Sequence, residues 1–158
     1  PFFSIDKNNL WVFDVLKKYL KYDSSIFPVK TPLYGISNGP TQIYHVSDIN
    51  PLEEDITTNF VEIPMSILKI PMIGKIPIAG GFHLRFLPLF LQKIGIRKQN
   101  KKNLPASCYI HPKDLDPQMP KISEYAWHYY WGLDGARNKF ESLLKSFEFS
   151  SIREIIKI

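Results

Sequence analysis

The stretch that decides how this chain is interpreted is SCYIHPKDLDP, residues 107–117. Its apolar start predicts a buried strand over residues 104–112. The proline after His111 predicts that this strand ends there, because proline cannot continue a central strand. In α/β folds the carboxyl ends of strands are where ligands and catalytic groups collect. An imidazole at such an end, followed by Asp114 and Asp116, is a candidate proton donor or acceptor; the alternative is a histidine that only caps the strand.

Length and composition indicate one ordinary domain. The chain has 158 residues, 44% of them hydrophobic and 14% aromatic, which is enough to bury a core. Its single cysteine excludes an internal disulfide and a cysteine-rich zinc site. The apolar neighbours of Cys108 predict a buried small hydrophobic side chain. No apolar run approaches the roughly 18 residues that span a bilayer, so no integral membrane segment is expected.

The net charge of +5 raises the question of an acidic partner. The basic residues do not form a binding stripe but concentrate in Arg97, Lys98, Lys101 and Lys102. Such a block is typically a solvated loop, and no base-stacking or helix-turn-helix pattern accompanies it, so nucleic acid is not an expected partner. An acidic polymer or a phospholipid surface stays an alternative partner.

Apolar spacing and helix-breaking residues predict alternating helices and strands. The expected elements are a helix from Asn8 or Asn9 to Leu20, strands at 42–46 and 60–63, short extended pieces joined by turns over 64–81, a helix at 84–96 that starts or kinks at Pro88, a helix capped by Asp134, and a final helix with Ser151 and Glu154 at capping-box spacing.

Several short motifs, taken in order, resemble a known family. They are PFFSI (1–5), NLW (9–11), YDSSIFP (22–28), EIP (62–64), AGG (79–81), LRFLP (84–88), YIHP (109–112), LDP (115–117) and FEF (147–149). Together they resemble the second half of a polysaccharide deacetylase of the NodB-homology group, carbohydrate esterase family four. The later motifs resemble the C-terminal extension of the members that accompany exopolysaccharide biosynthesis.

The resemblance implies an α/β fold, with the C-terminal part of a distorted (β/α) barrel of NodB-like type followed by a C-terminal α+β extension. Residues 1–60 would be the last segment of the deacetylase barrel. Residues 61–158 would be the extension, including the last catalytic-motif strand at 104–112.

The implied chemistry is metal-dependent hydrolysis of N-acetyl groups on a sugar polymer. In the family an aspartate and two histidines hold a divalent metal, usually zinc, and a second aspartate deprotonates the metal-bound water. A late histidine protonates the departing amine, and His111 matches that histidine.

The resemblance also assigns residues to the substrate, which would be a polysaccharide. Pro1, Phe2 and Ser4 would form part of the sugar-binding wall. Asp23 and Ser24 would line the groove, although a turn in which Asp23 bonds its own backbone is an equal alternative. The aromatic run at 127–131 is open to two interpretations, stacking on pyranose faces or packing in the core.

The family's metal-binding motifs, an aspartate pair and His-x-x-x-His, do not occur in this chain. We therefore expect no metal to be held by this chain alone, and we expect the missing N-terminal half of the deacetylase to be its partner in catalysis. Alone, the chain is predicted to be inactive, and bacterial cytoplasm and periplasm both stay open. Two alternatives remain: a non-catalytic glycan-binding or accessory module of the same fold, and a basic surface-interaction protein that uses residues 97–102.

Overall fold

The computed structural model describes residues 5–31, 34–78 and 80–157. Within these ranges the chain is mixed α/β, with two small sheets and five α-helices. The pattern of backbone contacts divides it into two compact units, Pro1–Pro77 and Ile78–Ile158. The sequence analysis predicted a boundary after residue 60, between the barrel segment and the extension of the family. That boundary differs in kind from the division between the two compact units, and it stays a prediction.

The first unit is built on a three-stranded sheet. Helix α1, Val12–Tyr19, leads into β1, Tyr22–Asp23; β2 is Tyr44–His45 and β3 is Val61–Glu62. Strand β3 lies in the centre, parallel to β1 and antiparallel to β2. The strands predicted at 42–46 and 60–63 are therefore present, although each is shorter than its apolar run.

Helix α1 begins later than the sequence predicts. Its N-cap is Trp11, which makes no side-chain capping bond. The Asn9 side chain instead accepts a hydrogen bond from the Asp6 amide at 2.6 Å, so it closes the preceding turn rather than capping the helix. Phe13, on the inner face of α1, is fully buried and meets Phe60 edge to face in the core of this unit.

A hairpin completes the first unit. Strands β4, Ile67–Ile70, and β5, Gly74–Pro77, pair antiparallel. This agrees with the short extended pieces and turns predicted for residues 64–81.

The second unit is mainly helical. It contains α2 (Gly81–Phe86), α3 (Leu89–Asn100), α4 (Leu133–Leu144) and α5 (Ile152–Ile155), with 3-10 turns at Pro112–Leu115 and Trp127–Tyr129. Pro88 separates α2 from α3, and the Ser151–Glu154 capping box opens α5; both features agree with the sequence analysis. The predicted Asp134 cap is wrong: α4 starts after Gly132, whose φ of 71° is left-handed, and Asp134 lies in its first turn.

The strand predicted at 104–112 is also wrong. Residues 104–111 pair with no strand in the part of the chain that the structure describes, and they run directly into the 3-10 turn at Pro112. His111 has the extended backbone angles of a strand, φ −95° and ψ 150°, but no strand described by the structure pairs with it. Cys108 is exposed, so its predicted burial is wrong as well. An apolar run becomes a strand only where another strand offers its backbone groups, and none does here.

The mixed α/β class is confirmed at this coarse level. The strands form an open three-stranded sheet and a hairpin, and the predicted barrel segment stays a prediction. Among the helices described by the structure, none is both long and apolar enough to cross a membrane.

Candidate functional site

His111 stands at the start of a 3-10 turn, with its ring facing a carboxylate. Its backbone N–H donates to Asp114 Oδ2 at 3.1 Å, and the Asp114 N–H donates to the His111 carbonyl at 2.9 Å. The His111 Nδ1 lies 3.7 Å from Asp114 Oδ2. The His111 side chain is 62% exposed, whereas that of Asp114 is only 5% exposed. The turn thus presents an accessible imidazole above a buried carboxylate.

The Arg85 guanidinium forms a buried ion pair with the Asp114 carboxylate. Its Nη2 lies 3.3 Å from Asp114 Oδ1, and its side chain is as buried as that of Asp114. Gly81 makes room for the pair, because a Cβ at that position would stand 1.8 Å from Asp114 Oδ2. Removing one partner of such a buried pair leaves an uncompensated charge, which costs about 3–5 kcal/mol.

The same guanidinium also binds the backbone of the aromatic run. Arg85 Nη1 donates to the carbonyls of His128, Tyr129 and Trp131 at 3.2, 2.9 and 2.9 Å. We call the Arg85 guanidinium, the Asp114 carboxylate and these three carbonyls the Arg85 clamp. Sequence reasoning used Arg85 only as part of the LRFLP motif. The available signal was an arginine among apolar residues in a short helix.

Around the clamp lies a series of rings in mutual contact. We call it the ring cluster, and it consists of Phe82, Phe86, Tyr125, Trp127, His128, Tyr129 and Trp131. Trp127 is 65% exposed and Trp131 is 56% exposed, so core packing is the wrong interpretation for these two side chains.

The predicted groove residues Asp23 and Ser24 lie in the first unit. Asp23 is a strand residue of β1, which excludes the turn interpretation, and Ser24 Oγ donates to the Ile63 carbonyl at 2.6 Å. The other three predicted sugar-binding residues, Pro1, Phe2 and Ser4, lie outside the described residues.

Glu62, which sequence reasoning did not single out, is buried beside Asp23. The two residues are register partners across β1 and β3. Glu62 Oε1 accepts hydrogen bonds from the Ser25 and Ile26 amides at 3.0 and 2.8 Å. Burial, and next the negative charge of Asp23, raise the pKa of Glu62 to about 8, so Glu62 holds its proton at neutral pH.

That proton accounts for two buried oxygens. Glu62 Oε2 and Asp23 Oδ2 have no donor among the residues described here if both groups are carboxylates. A proton on Glu62 would let its Oε2 donate to Asp23 Oδ2, which agrees with the raised pKa of Glu62. Glu62 is therefore the protonated member of this carboxyl pair. Burial also raises the pKa of Tyr44, whose hydroxyl donates to the Pro51 carbonyl at 2.6 Å.

The remaining sequence candidates do not assemble into a site. No group of three or more His, Cys, Asp or Glu side chains in the described ranges is arranged to hold a metal ion. Within the basic block, Arg97 lies over the Phe147 ring at 5.9 Å, a contact within the second unit.

Of the comparisons with known proteins, the one with protein families gives a match. No curated protein and no solved structure matches this chain. Residues 24–157 match a family described as a domain of unknown function, DUF3473, which is known from exopolysaccharide-associated deacetylases. The matched range contains the Arg85 clamp and His111, and it begins just after Asp23. Because the matched residues make up most of the chain, this chain belongs to the DUF3473 family.

Proposed function

We propose that this chain is the part of a polysaccharide deacetylase that supplies the proton for the departing amine, with His111 as the donor. The observation that carries the proposal is the exposed His111 imidazole held against a buried, paired carboxylate. The order of the sequence motifs, which resembles that of polysaccharide deacetylases, points to the same activity.

The chemistry requires such a donor. Hydrolysis of an N-acetyl group breaks a carbon–nitrogen bond, and the nitrogen must leave as a neutral amine because an amide anion is a very poor leaving group. A positioned histidine is the usual residue for this proton transfer. Its Nδ1 faces Asp114, so Nε2 is the nitrogen that would give its proton to the substrate. Asp114 would orient the ring and stabilise the imidazolium, which makes it a positioning residue.

The implied divalent metal, zinc in the family, does not fit the described residues, which offer no group of ligands for it. We propose that the metal ligands belong to the N-terminal half of the deacetylase, outside these 158 residues, and that both parts together bind the polysaccharide.

The test is acetate release from an N-acetylated glucosamine oligosaccharide by the complete enzyme. His111→Ala should lower turnover by about 10²–10⁴-fold while the metal content stays unchanged, since a general acid contributes about that much. His45→Gln is the matched control, because His45 is a histidine of the first unit that bonds the Thr58 carbonyl and Gln retains a donor. Turnover retained in His111→Ala would remove His111 from the acid role.

A second function, that of a non-catalytic glycan-binding module, is favoured by the exposed tryptophans of the ring cluster. The two functions separate in the same assay. A complete protein that binds the oligosaccharide but releases no acetate would support the binding module and refute the deacetylase.

A further inference from the structure

The outer face of α3 carries exposed apolar side chains. Phe90 is 61% exposed and Ile94 is 39% exposed. Because they lie four residues apart in the helix, they share one of its faces. The opposite face, which includes Gln92 and Ile96, is buried. Helix α3 therefore packs on the second unit through one side and presents an apolar stretch to water on the other.

The basic block of the sequence continues this outer face. Arg97 follows Phe90 by seven residues, and Lys101, the C-cap of α3, follows Ile94 by seven, so both extend the same face. All four side chains of the block are exposed. We call the combined feature the α3 surface, and it consists of Phe90, Ile94, Arg97, Lys98, Lys101 and Lys102.

The positive charge of the α3 surface has no acidic compensation. Residues 63–113 contain no aspartate or glutamate, although the chain has 15 acidic residues. Among the described residues, no carboxylate forms an ion pair with any of the four cations. The negative end of the helix dipole favours cations at the end of α3, but it does not account for the exposed apolar side chains beside them. The combination of the two therefore points to a partner.

We propose that the α3 surface binds bilayers that contain anionic phospholipid. The cations would meet the lipid phosphates, and Phe90 and Ile94 would enter the boundary between head groups and acyl chains. A helix that lies in the membrane interface combines these two kinds of side chain. Each Lys or Arg near an anionic lipid surface strengthens binding about fivefold, and the apolar area removed from water adds to it. This binding does not depend on the proposed deacetylase activity.

Other acidic partners would use only part of this surface. Nucleic acids and acidic polysaccharides would neutralise the cations, but they offer no apolar phase for Ile94, and an aliphatic side chain is not a stacking platform for bases. A standard protein interface involves about 20–30 residues on each side, whereas the α3 surface has six. A bilayer sets no such minimum, because its lipids adapt to each side chain that enters.

The experiment is co-sedimentation of the purified chain with vesicles of equal parts phosphatidylglycerol and phosphatidylcholine. We expect binding that weakens with added salt, because exposed charges are screened, and no binding to vesicles of phosphatidylcholine alone. A variant that lacks the three lysines of the α3 surface should bind about 10²-fold more weakly, since each contributes about fivefold. Its substitutions are Lys98→Gln, Lys101→Gln and Lys102→Gln.

The matched control removes three exposed lysines of the first unit and changes the net charge by the same amount. Its substitutions are Lys7→Gln, Lys18→Gln and Lys21→Gln. This variant should bind the vesicles nearly as well as the unchanged chain. An equal loss of binding in both variants would mean that net charge, and not the α3 surface, attracts the bilayer, and it would refute the proposal.

The apolar part of the surface is tested with two isoleucines. Ile94→Ser should weaken vesicle binding about threefold to tenfold, since burial of one partly exposed isoleucine contributes about that much. Ile56→Ser is the control and should change nothing, because Ile56 is 79% exposed in the first unit next to Asp55. Phe90→Trp should add fluorescence that brominated lipid quenches. Unchanged binding in Ile94→Ser, or no added quenching in Phe90→Trp, would refute insertion into the bilayer.

Parallel titrations test the other partners. Binding of a single-stranded oligonucleotide or of alginate through the three lysines, without binding of the anionic vesicles, would refute the membrane as partner. Sedimentation velocity without lipid tests a second copy of the chain. A dimer that Phe90→Ser dissociates would assign the α3 surface to self-association and would also refute the proposal. Circular dichroism checks the folding of each variant.

Discussion

The two units each bury a carboxyl group, and they do so in opposite ways. Asp114 in the second unit is paired with a guanidinium and lies under an exposed histidine. No cation of the described residues pairs with Glu62 in the first unit; its neighbours are two backbone amides and another carboxyl, that of Asp23. The first arrangement supplies a fixed countercharge to a reactive side chain. The second arrangement retains a proton.

Burial alone therefore does not decide whether a carboxyl group is ionised or protonated. A buried charge must be compensated, and the compensation is either a charged partner or a bound proton. Arg85 provides the first solution, and it links Asp114 to the ring cluster at the same time. The Asp23–Glu62 pair provides the second solution, and it makes the first unit sensitive to pH.

The largest expected effect comes from breaking the charged pair. Arg85→Met leaves Asp114 buried without its partner and three carbonyls without their donor, so we expect the free energy of unfolding to fall by about 3–5 kcal/mol. Denaturant titration of the chain measures it. Arg137→Met, at an exposed position of α4, is the control and should change stability by less than about 0.5 kcal/mol. Equal stability of the two variants would show that the clamp does not stabilise the second unit.

A smaller effect is expected where the carboxylate meets the α2 backbone. Gly81→Ala places a Cβ within 1.8 Å of Asp114 Oδ2, so the carboxylate must move, at a cost of about 1–3 kcal/mol in unfolding free energy. Gly135→Ala on α4 is the matched control, because a Cβ there meets nothing within 4 Å and alanine favours a helix. If thermal unfolding showed Gly81→Ala to be as stable as Gly135→Ala, the close packing of Asp114 on α2 would be wrong.

A pH slope, rather than a single difference in stability, tests the Asp23–Glu62 pair. The pKa of Glu62 rises from an ordinary value of 4.5 to about 8 on folding, so between these values the folded chain binds a proton that the unfolded chain has lost. This contribution to stability is therefore full below about pH 4.5 and is lost as the pH rises to about 8. The slope approaches about 1.4 kcal/mol per pH unit for one proton.

Glu62→Gln should flatten that slope, because the amide can donate to Asp23 at every pH and still accept from the Ser25 and Ile26 amides. Glu54→Gln, at an exposed position of the same unit, should keep the wild-type slope. Denaturant titrations at a series of pH values compare the three proteins. A wild-type slope in Glu62→Gln would mean that Glu62 does not hold the proton.

Short-range signals in the sequence predicted much of the local structure. The break at Pro88, the capping box at Ser151 and the strands within 42–46 and 60–63 follow from residues a few positions apart. These features depend on backbone angles and nearby hydrogen bonds, which neighbouring residues control. The ordered motifs led to a resemblance to NodB-homology deacetylases, of which the match to DUF3473 at residues 24–157 bears only on the C-terminal extension.

The sequence by itself thus determined the mixed α/β class, membership of the DUF3473 family and the candidacy of His111. Only the tertiary structure decided that residues 104–112 are not a strand, that Arg85 reaches Asp114, and that Glu62 stands beside Asp23. The physical reason is that each of these outcomes depends on a partner distant in the chain. Whether a backbone finds a neighbouring strand, or a carboxyl finds a cation or a proton, is settled by packing and not by the adjacent residues.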